Sequence, residues 1–94
     1  MPENISDRQF FQQLALSNIV TTAEALAAVK TGDIPAPLMA IVSAMPADQQ
    51  FNAEMLLSGA TVFQRSHPMT AAIGAAYGSS DDLIDAFFRA AATL

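Results

Sequence analysis

Apolar residues recur at spacings of three and four along most of the chain, a periodicity that predicts amphipathic helices. The first begins after Ser6-Asp7-Arg8-Gln9, a capping box in which a serine hydroxyl and a glutamine side chain each bond the other's backbone amide. The pattern predicts a helix to about Ser17, with Phe10, Phe11 and Leu14 along one face. The first segment therefore predicts a helix with a buried aromatic face.

A second capping box, Thr21-Thr22-Ala23-Glu24, opens the next predicted helix. Gly32 ends it, because glycine readily adopts the left-handed conformation found just after helix ends. Lys30 lies in the last turn, where the helix dipole favours a cation. The core face predicted by the spacing consists of Ala23, Leu26, Ala27 and Val29.

Two prolines, Pro35 and Pro37, change the chain direction after this helix, since proline restrains its own backbone and that of the residue before it. A short apolar helix is predicted over Leu38–Met45. The fourth and longest helix is predicted to run from Pro46 to about Arg65 and to form the central scaffold. Gly59 within it indicates a close crossing by another helix, because glycine is otherwise unfavourable in a helix interior.

The last two helices are separated by Gly78, which closes one predicted from Pro68. His67 precedes that proline and is expected to cap the helix or to interact with the end of the preceding one. Ser80 caps the sixth helix, which is predicted to continue to the end of the chain. Asp85 and Arg89 are spaced to form an exposed ion pair on it.

Alternating apolar and polar residues and hairpin turn dipeptides, the usual signs of β-structure, are not evident in the sequence. We therefore predict an all-α fold: a compact orthogonal or irregular bundle of five to six short helices with one longer central helix. Ninety-four residues suffice for one hydrophobic core, so the prediction is a single helical domain over residues 1–94.

The charge balance disfavours several classes of partner. Nine acidic and four basic residues give a net charge of −5, and the basic residues are scattered along the chain. Nucleic acids and anionic membranes attract clustered Lys and Arg, so we expect neither as a partner. A helix-turn-helix regulator around Gly32 stays an alternative, opposed by the absence of a basic recognition helix.

No catalytic, metal or cofactor site is predicted. The chain has no cysteine, which excludes disulfides and thiolate chemistry. The cluster Asp81, Asp82 and Asp85 lacks the ligand spacing of a calcium loop and is better explained by helix capping. The N-terminus lacks the pattern of a signal peptide, and we expect a cytoplasmic location.

The first functional hypothesis is a non-enzymatic protein-interaction module. The chain has more apolar helical positions than a short domain readily buries, which favours self-association, with a homodimer as the expected form. The candidate contact residues are Phe51, Met55, Phe63, Phe87 and Phe88.

The alternative is a small-molecule-binding or enzymatic domain. Its site would lie between helices near Arg65, His67 and Tyr77, because such sites are concave and apolar with a few convergent polar groups. His67 is the only histidine, and the sequence indicates no partner for it as a general base.

Three segments resemble small helical proteins encoded among prophage or phage tail genes. They are Thr22–Leu26, Gly32–Ala36 and Gly59–Pro68, of which the last, GATVFQRSHP, is the most distinctive. The resemblance covers most of the chain. It implies an assembly or accessory role through protein contacts and supplies no catalytic residues.

Overall fold

Six helices and two short strands make up residues 3–94, which a computed structural model describes. Residues 1 and 2 of the predicted single domain, residues 1–94, lie outside the described part. The elements are β1 (Asn4–Ser6), α1 (Asp7–Leu16), α2 (Thr22–Thr31), α3 (Ala36–Ser43), α4 (Ala47–Gly59), β2 (Val62–Gln64), α5 (Pro68–Tyr77) and α6 (Asp81–Ala91). They form a globule of 34 × 27 × 21 Å, which confirms the predicted helical bundle.

The helix boundaries follow the capping residues. The Ser6 hydroxyl accepts a hydrogen bond from the Gln9 amide at 3.1 Å, and the Gln9 side chain accepts one from the Ser6 amide at 2.8 Å. Thr21 and Glu24 make the same reciprocal pair at the start of α2. Gly32 ends that helix with φ of +79°. These predictions of the helix ends are confirmed. The sequence could predict them because capping depends on hydrogen bonds between residues that are close together in the chain.

The fourth helix is shorter than predicted. It ends at Gly59, and the next residues form β2, which pairs antiparallel with β1 so that Ile5 lies opposite Phe63. The prediction of a helix to Arg65 is therefore wrong. The residues Thr61, Val62 and Phe63 are β-branched or aromatic types that suit a half-buried extended strand. Three residues are too few to show the alternation by which a strand is recognised in a sequence.

The core centres on phenylalanines brought together from α1, β2 and α6. Phe10 stacks on Phe63 with 4.1 Å between ring centroids, and Phe11 approaches Phe63 edge-on at 6.1 Å. Phe87 packs edge-on against Phe10 at 5.6 Å and also against Phe88. The strand pairing thus places Phe63 against Phe10 and Phe11 of α1, and Phe10 in turn contacts Phe87 of α6.

The second helix buries the opposite face from the one predicted. Ala25 and Ala28 are buried in α2, whereas Leu26 and Val29 are exposed. Small side chains let α2 lie close to its neighbours, and Gly32 approaches so near to α4 that an added Cβ would lie 3.0 Å from the Ser58 carbonyl oxygen. The spacing of apolar residues could not show which face of α2 is buried, because both faces carry apolar residues at helical intervals.

Candidate binding surfaces

The five predicted contact residues divide between the core and the surface. Phe63 and Phe88 are almost fully buried, and Phe87 is half-buried in the same cluster. These three side chains pack in the core and are not presented on the outer surface, and a contact role for them stays a prediction. Phe51 and Met55 are 68% and 58% exposed on α4.

These two side chains stand one helical turn apart and form an apolar ridge. Beside the ridge runs a shallow trough between α4 and the start of α5, lined by Asn52, Met55, Leu56, Gly59, Ala60, His67, Pro68 and Met69. The ridge and the trough together are called the α4 face. Among the described residues, no Asp, Glu, Lys or Arg lines the trough. The α4 face therefore presents adjacent convex and concave apolar surfaces without formal charge.

A second cavity, of about 380 Å³, is lined mainly by α1, α3, α5 and α6, with Leu56 of α4 and Phe63 of β2 also in its wall. We call it the α5–α6 cleft. Phe10 and Leu14 line it from α1, Ile73 and Tyr77 from α5, and Phe88 from α6. Tyr77 is 51% exposed and marks its mouth. The α5–α6 cleft is thus a second apolar surface that a ligand can reach.

The three residues of the alternative site do not meet in one cavity. Tyr77 lines the α5–α6 cleft, and His67 lines the trough of the α4 face. Arg65 lines neither of the two in the described part of the chain. His67 is the N-cap of α5, its Nδ1 accepting a hydrogen bond from the Met69 amide at 3.0 Å, as its capping prediction required. Arg65, His67 and Tyr77 therefore lie in three separate places and do not form the predicted cluster.

Arg65 makes a structural ion pair. Its Nε donates to Asp85 at 2.6 Å and its Nη2 donates to Asp81 at 3.4 Å, while its side chain is only 13% exposed. The hydrogen bond to Asp85, aided by the charge of both carboxylates, raises the pKa of Arg65. The predicted Asp85–Arg89 pair is therefore wrong, since Asp85 is held by a residue distant in sequence.

Two surface carboxylates act as acceptors for backbone amides. Glu24 accepts from the Thr21 amide at 2.9 Å and from the Ala36 amide at 3.3 Å, so one side chain serves the starts of both α2 and α3. The bonds at Thr21 and Ala36 lower the pKa of Glu24. Hydrogen bonds from the Ser66 hydroxyl and amide lower the pKa of Glu3. These hydrogen bonds favour the ionised carboxylate of Glu24 and of Glu3.

The helix-turn-helix alternative would place α3 as the recognition helix. Its Leu38, Ile41 and Val42 are buried, and the sequence of α3 contains no Lys or Arg. This helix consequently offers no cation to a phosphate backbone, on which affinity for DNA chiefly depends.

The sequence did not predict the α5–α6 cleft as such, although Tyr77 of the alternative site and the contact candidates Phe63, Phe87 and Phe88 line it. The cleft depends on Gly74, where an added Cβ would lie 2.5 Å from Ile84 Cδ1, so that α5 crosses α6 closely at one point. Gly59, to which a close crossing was assigned, has no atom within 4 Å of an added Cβ among the described residues, and that prediction is wrong. A glycine in an otherwise alanine-rich helix was the available signal for the crossing at Gly74.

Within residues 3–94, no group of three or more His, Asp or Glu side chains is arranged to hold a metal ion. No single helix in that range is long and apolar enough to cross a membrane; α2 and α3 meet the length and composition only as a pair bent by 74°. No protein-family model matches the chain. No curated protein and no solved structure matches it either.

Proposed function

We propose that this domain is a non-enzymatic assembly module that associates with a second copy of itself through the α4 face. The observation that carries the proposal is the exposure of Phe51 and Met55 beside an apolar trough on the same surface. Large exposed apolar patches on small domains mark contact sites. An assembly role also agrees with the likeness of Gly59–Pro68 to proteins encoded among phage tail genes.

A second copy suits the α4 face in shape. A two-fold symmetric dimer uses the same patch on both chains, so the patch must contain both a projection and its complement. Phe51 and Met55 supply the projection, with Met55 also forming one wall of the trough, and the rest of the trough, lined by Gly59, Ala60, His67, Pro68 and Met69, supplies the complement. Each ridge can then occupy the trough of the other chain.

The charge distribution also favours this face. Two copies, each with a net charge of −5, repel one another over most approaches. The trough lining, free of charged residues as far as the structure describes it, lets two copies approach without burying like charges. Burial of an aromatic anchor such as Phe51 in a desolvated pocket is the usual source of interface affinity.

Sedimentation velocity from micromolar to millimolar protein tests the proposal. The unmodified chain should show a monomer–dimer equilibrium. Phe51→Gln and Met55→Gln should each weaken dimerisation about tenfold or more, since each removes an anchor that is exposed in the monomer. Leu26→Gln, which changes an equally exposed residue on α2, should leave the dissociation constant unchanged.

A chain that stays monomeric throughout this range contradicts the proposal. So does a dimer whose dissociation constant is the same in Phe51→Gln, Met55→Gln and the unmodified chain.

A further inference from the structure

We infer that the α5–α6 cleft is a binding site for a small, uncharged and largely apolar molecule. This inference goes beyond the proposed self-association and does not depend on it, because Phe51 and Met55 do not line the cleft and Leu56 alone is shared by the linings of the cleft and the trough.

The chemistry of the walls defines the class of ligand. Across the described residues, no Asp, Glu, Lys, Arg or His lines the cleft. An ionised group placed in it would lose hydration without gaining a counter-charge, which is costly. The ligand must therefore be uncharged where it lies between the helices.

The polar side chains in the lining are partly engaged with the protein. Gln13 donates to the Ser17 hydroxyl at 3.2 Å, and the Thr70 hydroxyl donates to the Gln64 carbonyl at 2.6 Å. Tyr77 and Ser79 add hydroxyls to the lining, and the exposed Tyr77 stands at the mouth. The walls thus suit an apolar body with one neutral hydrogen-bonding group near the mouth.

The size of the cleft agrees with a small molecule. Its volume of about 380 Å³ lies within the roughly 300–1,000 Å³ typical of ligand pockets. An apolar cavity of roughly 150 Å³ binds benzene. The α5–α6 cleft therefore has room for a body of about two or three linked or fused rings, or a short branched chain.

The incomplete burial of α5 also supports a ligand site in the cleft. None of its described residues is fully buried, although the helix carries Met69, Ile73 and Tyr77. Met69 and Ile73 are only partly covered by the core. A helix this apolar usually buries one face in its own domain. Ile73 and Tyr77 instead line the cleft, where a ligand would complete their burial.

Fluorescence titration with N-phenyl-1-naphthylamine, an uncharged probe with two aromatic groups, tests the inference. We expect saturable binding of one probe per chain. Ala86→Phe should weaken it at least tenfold, because Ala86 is exposed and lines the cleft, so that an aromatic ring there obstructs the site without disturbing the core. Ala71→Phe, the same change at an exposed α5 position that does not line the cleft, should alter the affinity less than twofold.

Two further titrations test the class of ligand and distinguish this site from the α4 face. 8-Anilinonaphthalene-1-sulfonate, a similar body with a fixed negative charge, should bind at least tenfold more weakly than the uncharged probe. The Phe51→Gln variant should bind the uncharged probe as the unmodified chain does, whatever its oligomeric state. Absence of saturable binding, or an equal effect of Ala86→Phe and Ala71→Phe, overturns the site. Equal affinity for the two probes overturns the uncharged class, and loss of binding in Phe51→Gln overturns the assignment to the cleft.

Discussion

At the scale of single residues, charge and hydrogen bonding connect segments that are far apart in the sequence. Arg65, which follows β2, is held by Asp85 in the middle of α6. Glu24, on α2, accepts from the first residue of α3. Each interaction stabilises a junction between elements, and each can be tested by changing one side chain.

A double-mutant cycle on Arg65 and Asp85 should give a coupling free energy of about 1 kcal/mol, because the pair is short and largely shielded from solvent. The single changes are Arg65→Met and Asp85→Asn, and urea denaturation measures the free energy of unfolding. The matched cycle with Arg89→Met should give coupling near zero, since Arg89 makes no ion pair within residues 3–94. Stronger coupling of Asp85 to Arg89 than to Arg65 would contradict the structure.

Glu24 should make stability depend on pH in a predictable direction. Its pKa is lowered in the folded state from an ordinary value of 4.5, so the unfolded state binds the proton more tightly. The stabilisation is present above that value and is lost as pH falls through the lowered pKa. Glu24→Gln keeps an acceptor for the Thr21 amide but has no proton to lose.

Urea denaturation of the unmodified chain and Glu24→Gln at several pH values measures this effect. The unmodified chain should be the more stable at neutral pH, and the difference should disappear on acidification below the pKa. Glu24→Ala, which loses the acceptor as well, should be less stable than both at neutral pH. A difference between the unmodified chain and Glu24→Gln that grows on acidification would be incompatible with this account.

At the scale of elements, local signals and tertiary packing determine different features. Ser6, Thr21, Ser80 and Gly32 mark helix ends through hydrogen bonds and backbone angles within a few residues, so the sequence alone predicted them. Val62 and Phe63 become a strand because the N-terminal segment pairs with them, a contact between positions about sixty residues apart. Such a pairing leaves little trace in a single sequence.

The candidate surfaces also combine features that follow from local sequence with features that follow from tertiary packing. Phe51 and Met55 were identified from their apolar spacing on a predicted helix, and the structure places both at the surface. Phe63 and Phe88 had the same apolar character but are buried, because β2 and α6 converge on α1. The α5–α6 cleft arises from the relative placement of five helices, which the helical periodicity of each one does not specify.

The crossing of α5 and α6 can be tested at its glycine. Gly74→Ala should destabilise the fold by about 1 kcal/mol, the low end of overpacking effects, because the new methyl displaces only the end of the Ile84 side chain. Gly59→Ala should be neutral or stabilise it by up to about 1 kcal/mol, since open space surrounds that position and alanine restricts the unfolded chain. Thermal and urea unfolding measure both variants. The reverse order of stabilities would show that α4, not α5, is crossed closely.

At the scale of the whole molecule, five of the six phenylalanines cluster where α1, β2 and α6 meet, and the sixth, Phe51, faces outward. A domain of this size has little core to spare, so placing an aromatic ring at the surface weakens its own stability. The arrangement is explained if the outward ring is buried in a complex. The cluster maintains the fold, and in our proposal the α4 face provides the contact.

Alanine substitutions should separate these two roles. Phe63→Ala should lower the free energy of unfolding by about 3–5 kcal/mol, because it opens a cavity in the core. Phe51→Ala should change the stability of the monomer by less than about 0.5 kcal/mol, as is usual for an exposed site. Urea denaturation at concentrations where the chain is monomeric measures both, and equal effects would contradict the assignment of the two rings.

The association of two copies through the α4 face is tested most directly by isotope-filtered NMR. Chains labelled with ¹³C at the methionine methyl groups are mixed with unlabelled chains, and only contacts between molecules are observed. A dimer formed through the α4 face should give intermolecular nuclear Overhauser effects at the methyl groups of Met55 and Met69, which line the trough, and none at the buried Met45. Contacts confined to other methionines, or a complete absence of intermolecular contacts at millimolar concentration, would contradict it.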